Sequence, residues 1–488
     1  MKKDRLLNIK LVFHVLGTLL FFEAGFLLIS AAVSFLYREN DLFPLLISFG
    51  ITFGTALMCF LLFKKEKSEP LNKREGYLVV TSVWIIFSLF GSLPFFISGY
   101  IPSYTDAFFE TISGFTTTGA SILTDVESLP HGLLFWRSII QWLGGMGIIV
   151  LSLAIMPILG IGGMQLYVAE VPGPTKDKLR PRVAQTAKLL WSIYALLTIM
   201  EILLLLVGGM NLYDSVCHAF ATMSTGGFST KNASIAYWDS PFIEYIITLF
   251  MLIAGINYTV IYFAIKGNFK KLANSEELKF YLLFAFGFSF ITMVGLLLTQ
   301  NIQTEEALRA SSFQVVSVMT GTGFATADYM QWAPFLWTLM FIIMLIGGCA
   351  GSASGGLKTV RVALLLKNSY YEFKRLLHPN AVIPVKFNHK VVPAPIVTNV
   401  LAFIVLFAII AVISLLIFVL LGIGFVEAAG SVVTCMSNVG PGLGNVGPSG
   451  NFAHFPDTAK WYMSFLMLTG RLEIFTVLFL FAPSFWKK

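Results

Sequence analysis

Apolar residues in this chain fall into long runs separated by short polar breaks. The runs lie near residues 11–35, 43–63, 77–99, 133–157, 187–208, 240–265, 278–299, 333–373 with an interruption, 395–421 and 460–482. About 20 apolar residues of helix cross ~30 Å of hydrocarbon. A helix also satisfies its own backbone polar groups there, so the pattern predicts ten crossing helices in an all-α polytopic membrane protein. A membrane barrel would instead show alternating strands of about 10 residues. With ten crossings, both termini lie on one side.

Between these runs sit four segments that are too short, and too polar at one end, to cross. They read TDAFFETISGFTTTGAS (105–121), YDSVCHAFATMSTGGFST (213–230), ALRASSFQVVSVMTGTGFAT (307–326) and VEAAGSVVTCMSNVGPGLG (426–444). Aligned on Gly119, Gly227, Gly323 and Gly440, they recur at intervals of 108, 96 and 117 residues, a repeat of helix, re-entrant segment and helix. Three carry an acid 13 residues before the glycine, namely Asp106, Asp214 and Glu427; the third has Ala310 there and its acids earlier, at Glu305 and Glu306.

An acid in the first turn suits the positive end of a helix dipole and keeps that end near water. The carboxyl end then points toward the bilayer centre, where its partial negative charge favours a cation. Irregular backbone at that depth is tolerated only where it lines a cavity or is buried in protein. Glycine is expected where such a stretch takes positive φ.

Composition and charge sharpen this picture. Charged residues are 12% of the chain and apolar residues 56%, which excludes a soluble enzyme, a secreted disulfide scaffold and a disordered chain. Cys59, Cys217, Cys349 and Cys435 lie far apart without CxxC spacing, and the six histidines are scattered, so packing roles are expected. Met1–Arg5 is followed by an apolar run with no small-residue cleavage site, so the first helix is expected to stay. Of 33 Lys and Arg, 27 fall in segments 1–10, 64–75, 170–188, 266–279, 358–390 and 487–488. By the positive-inside rule these segments and both termini are cytoplasmic. Of 26 Asp and Glu, 14 fall on the opposite face, where they would raise the local cation concentration. The net charge of +7 thus reflects topology, and no nucleic-acid partner is expected.

The chain resembles the TrkH/KtrB/HKT superfamily of potassium transporters, whose repeat is helix, pore loop, helix, four times. Beyond the loops, residues 144–182, SNVGPGLGNVGP (437–448) and GRLEIFTVLFLF (470–481), with an extra helix pair before residue 70, are similar to the bacterial TrkH branch. The resemblance implies four pseudosymmetric repeats around one pore: residues 1–70 as a two-helix element, then 71–182, 183–272, 273–385 and 386–488. It implies a potassium selectivity filter at Thr116, Thr117, Thr118 and Gly119; Ser224, Thr225, Gly226 and Gly227; Thr320, Gly321, Thr322 and Gly323; and Ser437, Asn438, Val439 and Gly440. It further implies potassium as substrate without a cofactor, a homodimer in the bacterial cytoplasmic membrane, and a ring of soluble nucleotide-binding regulatory subunits.

Residues 347–356, GGCAGSASGG, break any long helix, and the family carries an obstructing loop below its filter at this place. Gly347, Gly348, Gly351, Gly355 and Gly356 are therefore candidate gate residues. The stretch from Gly351 to Thr359 approximates a phosphate-binding loop, but Leu357 displaces the lysine and no strand precedes it. Other small residues, at Gly144, Gly145, Gly147, Gly255 and Gly470, suit close helix packing. Arg471, inside the run 460–482, is the one basic residue assigned to neither face; it is expected below the filter with Glu473 pointing away, whereas Glu23 and Glu201 are expected in packing or interhelix hydrogen bonds. The competing reading is a secondary transporter of an organic solute with a midplane site in broken helices, which predicts two similar halves in place of four quarters. The basic segments also suit anionic lipid.

Overall fold

The computed structural model describes residues 7–63, 72–147 and 183–486. The expected crossing from 148 to 157 and the basic segments 64–71 and 170–182 lie outside the described residues. A helical hairpin opens the chain, α1 (Ile9–Tyr37) and α2 (Leu42–Leu62). The loop between them plugs into the first repeat: Asp41 Oδ2 accepts the Leu133 N–H at 2.9 Å and Glu39 accepts the His131 N–H. These acids satisfy orphan amides at the start of a helix that has no cap of its own.

The first repeat holds α3 (Lys73–Gly91), its continuation α4 (Leu93–Ile97), the short α5 (Tyr104–Phe115) and α6 (His131–Gly145). The second holds α7 (Val183–Val207), α8 (Leu212–Met223), α9 (Pro241–Ala254) and α10 (Tyr258–Ile265). The third holds α11 (Glu276–Thr299), α12 (Thr304–Thr320), α13 (Pro334–Leu345) and α14 (Thr359–Leu377). The fourth holds α15 (Ala394–Leu420), α16 (Phe425–Ser437), α17 (Asp457–Arg471) and α18 (Ile474–Leu478). Strand among the described residues is one antiparallel pair, Lys386–Phe387 with Lys390–Val391.

The re-entrant helices α5, α8, α12 and α16 have 12, 12, 17 and 13 residues. At 1.5 Å per residue they reach roughly 18–26 Å, short of the ~30 Å needed to cross. Their apolar bodies are buried, while outer helices such as α15 leave Val405, Ile409, Val412 and Leu416 exposed. Each has an acid in its first turn, including α12 with Glu305 and Glu306. The apparent departure of the third repeat is thus a longer helix whose acids moved out with its amino end.

Two expected crossings are not continuous. The run 240–265 is α9 and α10, bent by 108°, and the run 460–482 breaks after Arg471 by 115°. Only the interruption within 333–373, between Leu345 and Thr359, was expected. Among the described residues, six helices are long and apolar enough to cross a membrane, or eight spans if each bent pair is one. At the α9 break, the freed Gly255 carbonyl accepts the Cys349 N–H at 2.8 Å and Tyr258 N–H donates to Gly351 O at 3.2 Å. Residues of the third repeat therefore satisfy the interrupted backbone of the second, which no local pattern in 240–265 reveals.

Candidate functional site

The four re-entrant helices end beside their aligned glycines. Gly119, Gly227, Gly323 and Gly440 take φ of 80°, 76°, 80° and 100°. Two residues earlier, Thr117, Thr225, Gly321 and Asn438 are also left-handed, at 53°, 56°, 75° and 53°, and the residues between have negative φ. Alternating handedness turns successive peptide groups the same way, where a strand would face them alternately. A β-branched residue at positive φ costs about 1–2 kcal/mol, so Thr117 and Thr225 mark stored strain. Thr117 and Thr225 were expected among the filter residues, but positive φ was expected only at glycine, and nothing in a threonine signals it.

The segments close into a ring. A Cβ added to Gly119 would lie 2.2 Å from Gly226 O, one on Gly227 1.8 Å from Thr322 O, one on Gly323 2.2 Å from Val439 O, and one on Gly440 2.9 Å from Thr118 O. Each aligned glycine thus accommodates the carbonyl of the residue preceding the aligned glycine in the next repeat, and the fourth returns to the first. Hydroxyls brace the ring: Thr116 and Thr118 Oγ1 lie 2.8 Å apart, as do those of Thr320 and Thr322, and Asn438 Nδ2 donates to Thr118 Oγ1 at 2.8 Å. Gly119, Gly227 and Gly323 are partly accessible, whereas the residues leading to them are buried. Among the described residues no His, Cys, Asp or Glu cluster could hold a metal ion, so the ring offers neutral oxygens.

Behind the ring, Arg137 and Glu110 form a buried ion pair at 2.6 Å, and Arg137 also donates to Ser229 O. Lys460 pairs with Asp106 at 2.6 Å and Arg309 with Glu244 at 2.7 Å. Several acids expected to concentrate cations are therefore already engaged with protein partners, which reduces that effect. Gly144 and Gly470 approach the backs of the loops, with added Cβ atoms 1.9 Å from Phe115 O and 2.4 Å from Met436 O.

Below the ring lies the glycine-rich segment. Gly347 N–H donates to Leu357 O at 3.0 Å, Gly348 N–H to Ser354 Oγ at 2.8 Å, and Gly351 and Gly356 are left-handed. Gly355 rests on the fourth loop, where an added Cβ would lie 2.3 Å from Ser437 O. Arg471 joins this segment to the first loop, donating to Ala353 O at 2.6 Å, Thr117 Oγ1 at 3.1 Å, Gly145 O at 3.0 Å and Gly144 O. Its guanidinium therefore crosslinks the first loop to the glycine-rich segment through the backbone. Glu473 turns away to pair with Arg361, whose guanidinium lies 3.9 Å over the Phe403 ring. Glu201 and Glu23 are buried, with Glu23 beside Gly91 and the α5 residues Thr111 and Phe115. Of the two roles expected for Glu23, packing is the one seen: neither of its carboxylate oxygens has a hydrogen-bond partner among the described residues. The four cysteines are free and, apart from the half-buried Cys59, buried.

Fold and site together define a multi-pass membrane protein in which four re-entrant loops converge on one axis. The TrkH family of cation transport proteins matches residues 47–488, and the chain belongs to it. It is 42% identical over 487 residues to the Trk system potassium uptake protein TrkH of Escherichia coli K12, covering 99% of this chain and 100% of that one. It is 35% identical over 483 residues to the Trk system potassium uptake protein TrkG of the same strain, covering 98% and 99%. The crystal structure of the potassium transporter TrkH from Vibrio parahaemolyticus superimposes with a TM-score of 0.89 at 37% identity, covering 99% of this chain and 100% of that one.

Proposed function

We propose that the chain takes up potassium across the bacterial cytoplasmic membrane through one pore lined by residues 116–119, 224–227, 320–323 and 437–440. The observation that carries this reading is the alternation of φ in all four loops, which presents closely spaced carbonyl oxygens that can replace an ion's hydration shell. The carboxyl ends of the four re-entrant helices add partial negative charge. No ring carboxylate is present to favour divalent ions. Potassium is substrate, and no catalytic residue is assigned.

The segment 347–356 with Arg471 serves as the gate, since it lies against the lower ends of the first and fourth loops. Residues 1–70 form an appended element before repeats at 71–182, 183–272, 273–385 and 386–488. Both termini are cytoplasmic, and the basic face receives a nucleotide-binding regulatory subunit and anionic lipid, with the chain acting as a homodimer. An organic-solute transporter is not favoured, because four repeats meet on the axis where two halves would be needed. Flux into proteoliposomes tests the reading. Potassium and rubidium should exceed sodium and lithium, and Gly119→Ser or Gly323→Ser should erode the difference; equal flux of all four ions through the unsubstituted chain would overturn it.

A further inference from the structure

The ring is symmetric in its backbone but not in what stands behind it. The residue before each aligned glycine is Thr118, Thr322 and Val439 in three repeats, all buried, and their side chains fill the wall of the loop. In the second repeat it is Gly226, which has nothing to fill that wall. Gln141, on α6 of the first repeat, occupies the place: a Cβ added to Gly226 would lie 2.5 Å from its Cδ and within 2.8 Å of both its terminal atoms. The borrowed amide does more than fill space. Its Nε2 donates to Gly226 O at 2.6 Å and its Oε1 accepts the Phe228 N–H at 3.1 Å, so it clamps both peptide groups flanking Gly227.

Gln141 is fully buried and is itself held in place. One turn earlier on the same helix, Arg137 is fixed by Glu110, donates to Ser229 O and lies 3.5 Å over the Phe228 ring. The two side chains four residues apart therefore bracket the stretch from Gly226 to Ser229 as a rigid pair. A carbonyl oxygen has two lone pairs. At Gly226 one is taken by Gln141, which leaves a single direction for an ion and ties that direction to the first repeat.

We propose that Gln141 is a positioning residue for ion selectivity: it sets the orientation of the Gly226 carbonyl, in place of the side chain that the second repeat lacks. This rests on the reading of residues 224–227 as part of the ion path. The test uses the full chain in proteoliposomes and measures rubidium and sodium flux at matched protein density. Gln141→Glu keeps the shape and the bond from Phe228 but cannot donate to Gly226 O when ionised; Gln141→Leu loses both bonds. Each should lower the rubidium-to-sodium ratio about tenfold, the equivalent of about 1.4 kcal/mol. Gly226→Thr alone collides with Gln141, whereas Gln141→Ala with Gly226→Thr restores a wall from within the repeat, as in the first and third, and should regain selectivity that Gln141→Ala alone loses. A wild-type ratio in both the Glu and Leu variants overturns the proposal, and so does a double variant no more selective than Gln141→Ala. Absence of selectivity in the unsubstituted chain would instead overturn the assignment of the ion path. Should Gln141→Leu fail to fold, the nearly isosteric Glu variant carries the test, since a role in packing alone predicts that it keeps the wild-type ratio.

Discussion

The four aligned glycines share a positive φ but not the same crowding. An added Cβ would lie 1.8 Å from the neighbouring carbonyl at Gly227, 2.2 Å at Gly119 and Gly323, and 2.9 Å at Gly440. The conformational cost of a side chain, ~1 kcal/mol or more, is common to all four, so the difference must come from displaced carbonyls. Alanine substitutions should therefore impair the potassium-to-sodium flux ratio most at Gly227 and least at Gly440; the reverse order in proteoliposome flux would contradict the ring as described. Arg471 poses a second question at this scale. A unit charge ~6 Å from a potassium ion opposes it by ~3 kcal/mol at an effective dielectric near 20. Its carbonyl partners offset part of that repulsion while the crosslink holds the loop. Arg471→Ala should raise flux about tenfold or more without any partner protein, and Arg471→Lys less, because a point ammonium cannot span the four acceptors. Unchanged flux in both, with normal expression, would make Arg471 structural.

The glycine-rich segment between α13 and α14 shows how one element completes others. It supplies the Cys349 N–H to the α9 break and takes a bond from Arg471 at the α17 break. Its backbone cannot hold a helix, and the proposed gate role requires a second arrangement within a few kcal/mol of this one. Deleting several residues within 350–355 should raise flux with the ion ratio retained, because the ring lies above; loss of the ratio would show that the segment also shapes the ring. The hairpin α1–α2 has a different dependence. Its hold on α6 through Glu39 and Asp41 resembles an N-cap, whose loss costs about 0.5–2 kcal/mol. Asp41→Ala should lower the thermal unfolding midpoint in detergent while leaving the ion ratio alone, a pairing that fluorescence and flux on one preparation can check.

Across the whole molecule, charge sets orientation and also what the protein can meet. The proposed topology puts the basic segments on the side of both termini, and none is long enough to fold as a sensor by itself. A soluble subunit on that face should co-purify from native membranes and should carry the nucleotide binding, leaving the isolated chain without it. Preparations that repeatedly yield this chain alone would count against a partner. Reporter fusions at residue 488 and within 64–71 should both read as cytoplasmic, and opposite readings would reverse the topology.

Much of this architecture was legible because it is written in local chemistry that repeats. Run length marks the six long apolar helices, an acid near each amino end marks the re-entrant helices, and glycine marks the aligned left-handed positions. The third repeat illustrates the point, since Glu305 and Glu306 obey the dipole rule although they break the spacing. What the sequence could not decide are features whose cause lies in another repeat. Thr225 gives no sign of positive φ. Gln141 clamps a loop 85 residues away, and Arg471 reaches Thr117 across 354 residues. The breaks after Ala254 and Arg471 look helical by composition, because a helix ends there only when another segment takes up the freed backbone groups. Those partners exist once four repeats have closed around one axis, and closure is a property of the tertiary structure alone.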